Sequence, residues 1–150
     1  MDIVIGSDHA GFRLKSVIKD FLLNDCSLRV LDVGTHSEEP VDYPDFGVAV
    51  ADMISQGKCE KGILICGSGI GMSIIANKFS NVRAALCLDV ENAKFSKAHN
   101  NANILVLAGR KTTTDNAKEI VKIWLQTPFT NEERHLKRLA KIVEIEKNNR

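Results

Sequence analysis

Cys66 ends the apolar run Ile63-Leu64-Ile65 and leads directly into Gly67-Ser68-Gly69-Ile70-Gly71. Alternating glycines between a strand and a helix let successive backbone N–H groups converge, and with the helix N-terminus they form an anion nest. Tight strand–helix packing is the other use of such glycines. A lone cysteine is ordinarily a small buried hydrophobe. Beside converging amides and a helix N-terminus, however, a thiol is biased toward its thiolate, the form that can take a proton. A tyrosine-phosphatase-like role would need Arg at position 72, which is Met. The G-x-G-x-G spacing departs from the dinucleotide fingerprint, so a nicotinamide cofactor is disfavoured, although Asp89 stands at the end of the next strand.

Four further places carry usable groups. Asp8-His9 follows the first apolar run, where an Asp also serves as a helix cap. His99-Asn100 closes a helix just before a strand, a position that also suits a histidine against the helix dipole. Arg110 directly follows the fifth strand. Arg134 and Arg138 share one face of the last helix, with His135 beside them. That face is either solvated or suited to gripping a phosphate through forked hydrogen bonds. The set supplies an oxyanion nest, a thiol, imidazoles, an acid and guanidiniums, with no metal-ligand cluster and no Ser/His/Asp order. It suits proton abstraction next to a carbonyl on a phosphorylated substrate.

The elements that must position these groups alternate along the chain. Ile3-Val4-Ile5, Arg29–Val33, Ile63–Cys66, Ala84–Leu88 and Ile104–Ala108 read as strands. Leu14, Val17, Ile18, Phe21 and Leu22 form an amphipathic stripe after a loop at Gly6–Gly11. Further helices are expected from near Asp45, over Met72–Lys78, Asp89–His99 and Asp115–Gln126, and from about Asn131 to Lys147. The stretch Gly34–Pro44 reads as the longest loop, held open by Pro40 and Pro44. Five βα units predict one α/β domain over residues 1–150: a doubly wound, Rossmann-like five-stranded parallel sheet with helices on both faces and a C-terminal helix. Ligands of such sheets bind outside the carboxyl ends of the strands.

Bulk properties narrow the partners. The 150 residues are 44% hydrophobic and 26% charged, with a net charge of +1, which gives no broad basic footprint for nucleic acid. No apolar run reaches the roughly 20 residues of a membrane span, and the N-terminus enters a strand without a basic leader, so a cytoplasmic address is expected. Cys26, Cys59 and Cys87 read as structural, and neither a disulfide framework nor a zinc site is indicated.

Taken in order, Gly6-Ser7-Asp8-His9-Ala10-Gly11, Asp42-Tyr43-Pro44, Ile65–Gly71, Ala76-Asn77-Lys78, His99-Asn100 and Arg134-His135 with Arg138 resemble the ribose-5-phosphate isomerases of type B and their galactose-6-phosphate isomerase relatives. The resemblance implies interconversion of ribose 5-phosphate and ribulose 5-phosphate with no metal or organic cofactor. By that resemblance Cys66 is the carbon-acid base, His99 opens the sugar ring, and Ser68 with the amides of Gly67, Gly69, Ile70 and Gly71 steadies the enediolate. Asp8 or Tyr43 would contact hydroxyls, and His9, Arg134 and Arg138 would hold the phosphate. It also implies a homodimer, in some members a tetramer, in which Asn100, Arg110 and with them His99 reach the partner's site. Some relatives carry Glu where this chain has Met72, and lack the Cys. With Cys66 present and no acid at 72, the resemblance leaves the thiol as the base here. A hexose 6-phosphate isomerase and a non-catalytic nucleotide- or phosphate-binding module are the rival readings.

Overall fold

The hydrophobic period switches between two and 3.6 along the chain, and the backbone follows it. In the computed structural model, which describes residues 1–149, the elements are β1 (Ile3–Ser7), α1 (Phe12–Asn24), β2 (Val30–Asp32), α2 (Tyr43–Ser55), β3 (Gly62–Cys66), α3 (Ile70–Ala76), β4 (Ala84–Leu86), α4 (Val90–Ala98), β5 (Ile104–Ala108), α5 (Thr114–Gln126) and α6 (Glu133–Asn148). All strands are parallel, in the order β2-β1-β3-β5-β4, so the doubly wound α/β sheet expected from the sequence is the one that forms.

Alternate strand residues face opposite layers. Ile3, Ile5, Ile63, Ile65, Leu105 and Leu107 pack with Leu14, Ile18 and Leu22 of α1 and Ile120, Val121 and Trp124 of α5. Val4, Leu64 and Val106 pack with Val50 and Ile54 of α2 and Met72 and Ala76 of α3. Each such aliphatic side chain, once buried, contributes about 1.5–3 kcal/mol. Cys66, two residues beyond Leu64, therefore falls on the α2–α3 side. The chain leaves β1 for β2 on one side and returns to β3 on the other, which opens a crevice outside the carboxyl ends of β1 and β3. Ser7 registers with Ile65 there, so Asp8 and Cys66 emerge side by side.

Several element ends differ from the sequence reading. β1 runs on through Ser7, and His9–Gly11 forms a 3-10 turn rather than a loop. The β2 and β4 strands are three residues each, shorter than Arg29–Val33 and Ala84–Leu88, because each lies at a sheet border with one neighbour to pair with. α2 begins at Tyr43, two residues before Asp45. Pro44 sits in its first turn, where a fixed φ and a missing N–H suit a helix start, instead of holding a loop open. α3 starts at Ile70, which draws Gly71 into a helix. Asp89 caps α4 by accepting the Asn92 amide at 2.7 Å, which accounts for an acid at that strand end. α6 begins at Glu133, later than Asn131, whose left-handed φ of 58° lies outside a helix.

Two further packing features matter below. Asn77 Nδ2 donates to the Ala84 carbonyl at 3.0 Å while its Oδ1 accepts the Ala84 amide at 2.9 Å, occupying the outer edge of β4. α6 lies largely in solvent: His135 is its buried residue, whereas Leu136, Ile142, Val143 and Ile145 are exposed. No helix among the described residues is long and apolar enough to cross a membrane.

Candidate active site

A cleft of about 440 Å³ opens at the carboxyl ends of β1, β3 and β5. Asp8, His9, Tyr43, Cys66, Gly67, Ser68, Gly71 and Arg110 line it, all of them residues singled out in the sequence. Ala10 and Lys111 complete the lining and were not singled out. Lys111 was legible in principle: it directly follows Arg110, beyond a strand's carboxyl end.

Each group has a local reason for its place. The Asp8 amide donates to the Ile65 carbonyl at 3.2 Å, which ties the end of β1 to β3. Its carboxylate Oδ1 accepts the Gly11 amide at 3.0 Å and caps the following turn, so Asp8 is a cap that also faces the cleft. His9 is held rather than solvated, with the Val41 amide donating to its Nδ1 at 3.1 Å. Tyr43, in the first turn of α2, leans over Gly71, where a Cβ would come within 2.5 Å of the ring. Cys66 is 5% exposed at the floor. The Ser68 hydroxyl accepts the Ile70 amide at 3.2 Å, which removes that N–H from the nest. The Cys66 and Gly67 carbonyls are engaged by the Gly109 and Arg110 amides at 2.8 and 3.0 Å, stitching the β3–α3 turn to the β5–α5 turn.

Two of the nest residues do not reach the cleft. Gly69, at φ 78°, is the turn-former. It is buried against Leu86, whose Cδ1 would lie 2.4 Å from a Cβ there. Ile70 points outward and is 57% exposed.

His99, Asn100, Arg134 and Arg138 gather at the opposite end of the sheet. α4 runs back from the carboxyl end of β4 to the amino end of β5, so its C-cap His99 stands one strand length, about 16 Å, from the turn after β5. His99 stacks on Phe95 at 4.8 Å and against His135 at 4.5 Å between ring centroids. Arg134 pairs with Glu132 at 2.9 Å, so Glu132 neutralises an arginine rather than capping α6 with its side chain. Asn100 lines a separate groove of about 1140 Å³ between the β4 border and α6. Arg110, expected to serve a partner's site, lines this chain's own cleft.

Electrostatics separate the thiols and histidines. Burial pushes the Cys87 thiol up to about 11, with Asp89 adding to the rise against a hydrogen bond from Ser96. Cys26 is raised as well, by burial and then by Asp25. His135 is lowered, first by burial and then by His99 and Arg134. Among the described residues no three His, Cys, Asp or Glu side chains converge to hold a metal ion.

Comparison with known proteins fits this geometry. Residues 3–142 match the family described as Ribose/Galactose Isomerase. The structure of ribose-5-phosphate isomerase B from Clostridium thermocellum is 49% identical, with a TM-score of 0.96 and 100% of each chain covered. Ribose-5-phosphate isomerase B of Escherichia coli is 40% identical over 144 residues, covering 96% of this chain and 95% of that protein. D-erythrulose-4-phosphate isomerase of Pectobacterium atrosepticum is 40% identical over 133 residues, covering 86% and 85%. With a family match across nearly its whole length and a shared fold, this chain is an isomerase that belongs to the ribose/galactose isomerase family.

Proposed function

We propose that the protein interconverts ribose 5-phosphate and ribulose 5-phosphate through an enediolate, without a cofactor. The observation that carries this reading is Cys66 on the floor of a cleft, beside Ser68 and the glycine turn and flanked by His9 and Arg110. Cys66, as thiolate, takes the C2 proton of the open-chain aldose and returns it to C1, while the O2 hydroxyl proton passes to O1 as the enediolate collapses to the ketose. Charge developing on the carbonyl oxygen is met by the Ser68 hydroxyl and nearby turn amides, donors fixed before the substrate arrives. Asp8 and Tyr43 hold sugar hydroxyls, which keeps the acyclic chain in line for transfer.

His99, Arg134 and Arg138 enter this reading from a second copy. Within one chain they stand at the far end of β5 from the cleft. The exposed apolar residues of α6 favour coverage by another subunit, since an unpartnered apolar face of this kind marks an interaction surface. In the resulting homodimer His99 of the second copy protonates the ring oxygen and opens the furanose, while that copy's arginines close over the phosphate.

An isomerase assay on ribose 5-phosphate with EDTA present tests the reading, with wild type beside Cys66→Ala. Wild type should turn over and exchange the C2 hydrogen with solvent, while Cys66→Ala should bind the sugar phosphate yet lose exchange. Full turnover by Cys66→Ala removes the proposed base. Four- and six-carbon phosphates run in parallel compare kcat/KM and fix the substrate length, since a relative at 40% identity is named for a four-carbon substrate.

A further inference from the structure

The cleft holds a cation that the proposed chemistry leaves unused. Lys111 lines it beside Arg110, and neither side chain forms an ion pair among the described residues. Asp8 is the one carboxylate in the lining. Two adjacent fixed positive charges against one acid leave this end of the cleft with a positive excess, in a protein whose net charge is only +1.

The placement is built into the backbone. The Lys111 amide donates to the Ala108 carbonyl at 3.1 Å, closing the turn that follows β5. The two preceding amides donate to Cys66 and Gly67. The turn that carries both cations is therefore fastened to the residues that carry the thiol. Arg110 reaches in so far that its Nη1 lies 3.2 Å from where a Cβ on Gly67 would stand. The two cations differ in what they offer. Arg110 is a planar fork that fixes orientation, whereas Lys111 is a mobile point charge on a long stem, suited to attracting an anion rather than aligning it. Arg134 and Arg138, by contrast, lie at the other end of the chain's sheet, and Arg134 is already paired with Glu132.

We infer that Lys111 is a substrate-binding residue, which together with Arg110 receives the dianionic phosphate of the sugar phosphate in the chain's own cleft. This rests on the isomerase reading for the identity of the substrate, but the anion site it describes can be measured without turnover.

The test compares wild type, Lys111→Met and Lys111→Arg. For Lys111→Met, KM for ribose 5-phosphate should rise about 10-fold with kcat changed less than about two-fold, the pattern of an interaction made equally in ground and transition states. The competitive inhibition constant of inorganic phosphate should rise by the same factor, and KM should become less sensitive to added salt. Lys111→Arg should restore all three. Unchanged KM and phosphate inhibition in Lys111→Met overturn the inference and leave a solvated surface lysine, and a loss confined to kcat overturns it too. Should wild type prove inert on every sugar phosphate, the isomerase reading falls separately. Calorimetric titration with inorganic phosphate then decides the site: weaker binding by Lys111→Met supports it, and equal binding overturns it.

Discussion

The backbone amide of Val41 donates to Nδ1 of His9 across 3.1 Å, joining the β2–α2 loop to the turn after β1. An acceptor at Nδ1 puts the proton of a neutral imidazole on Nε2, so His9 meets the cleft as an Nε2–H donor.

Nitrogen NMR of the free protein should therefore show His9 with an unprotonated Nδ1 and a protonated Nε2. Finding the opposite tautomer would mean that the loop does not grip the ring in solution. His9→Asn should raise KM for the sugar phosphate by about 3- to 10-fold, as loss of one hydrogen bond to a charged group predicts.

A second consequence concerns the root of the same loop. Lys15 is 1% exposed and donates to both carboxylate oxygens of Asp32 at 2.6 Å, while Asp32 also accepts the Gly34 amide at 2.9 Å. Burial works to raise the Asp32 carboxyl, but the Lys15 and Gly34 hydrogen bonds and the charges of Lys15 and Lys19 outweigh it and hold the group below its ordinary value of 3.8. A lowered carboxylate stabilises the fold above that value, and the contribution is lost as pH falls through the folded-state value. Asp32→Asn, which strands a buried ammonium, should cost about 3–5 kcal/mol in urea unfolding. Replacing the pair together, Lys15→Met with Asp32→Leu, should recover part of that loss. A single-variant cost below about 1 kcal/mol would show that Lys15 finds water instead.

His135 gives a third outcome, which runs in the same direction at higher pH. Burial and the neighbouring His99 and Arg134 hold it below its ordinary 6.5. The unfolded chain then binds more protons than the folded one in the window just below 6.5, so stability rises with pH there and declines on acidification. Melting temperature should rise with pH across the window just below 6.5. In His135→Gln the slope over that window should be shallower; an identical slope assigns the effect to another group.

Much of the fold was legible because burial on both faces writes itself plainly: Ile3–Ile5, Ile63–Ile65 and Ile104–Leu107 are apolar without interruption. The ends were less so. Pro44 breaks or starts a helix with equal ease from sequence, and only the packing of α2 decides. The cleft lining followed from a general rule about strand ends, which gathered Asp8, Cys66 and Arg110. The same rule reaches Lys111, which was passed over although it stands one residue beyond Arg110 at the same strand end. His99 stands just before β5, so its distance from Cys66 within one chain was already implied by chain direction. In the homodimer proposed above, a contact between subunits brings that end to a cleft, and such contacts leave no spacing pattern along one chain.

The Asn77 amide bracketing Ala84 has a consequence for assembly. An uncovered strand margin is a template on which foreign strands lengthen a sheet, the route to runaway aggregation. With both ladder groups of Ala84 already satisfied by a side chain, that margin offers a foreign strand no free donor or acceptor at Ala84.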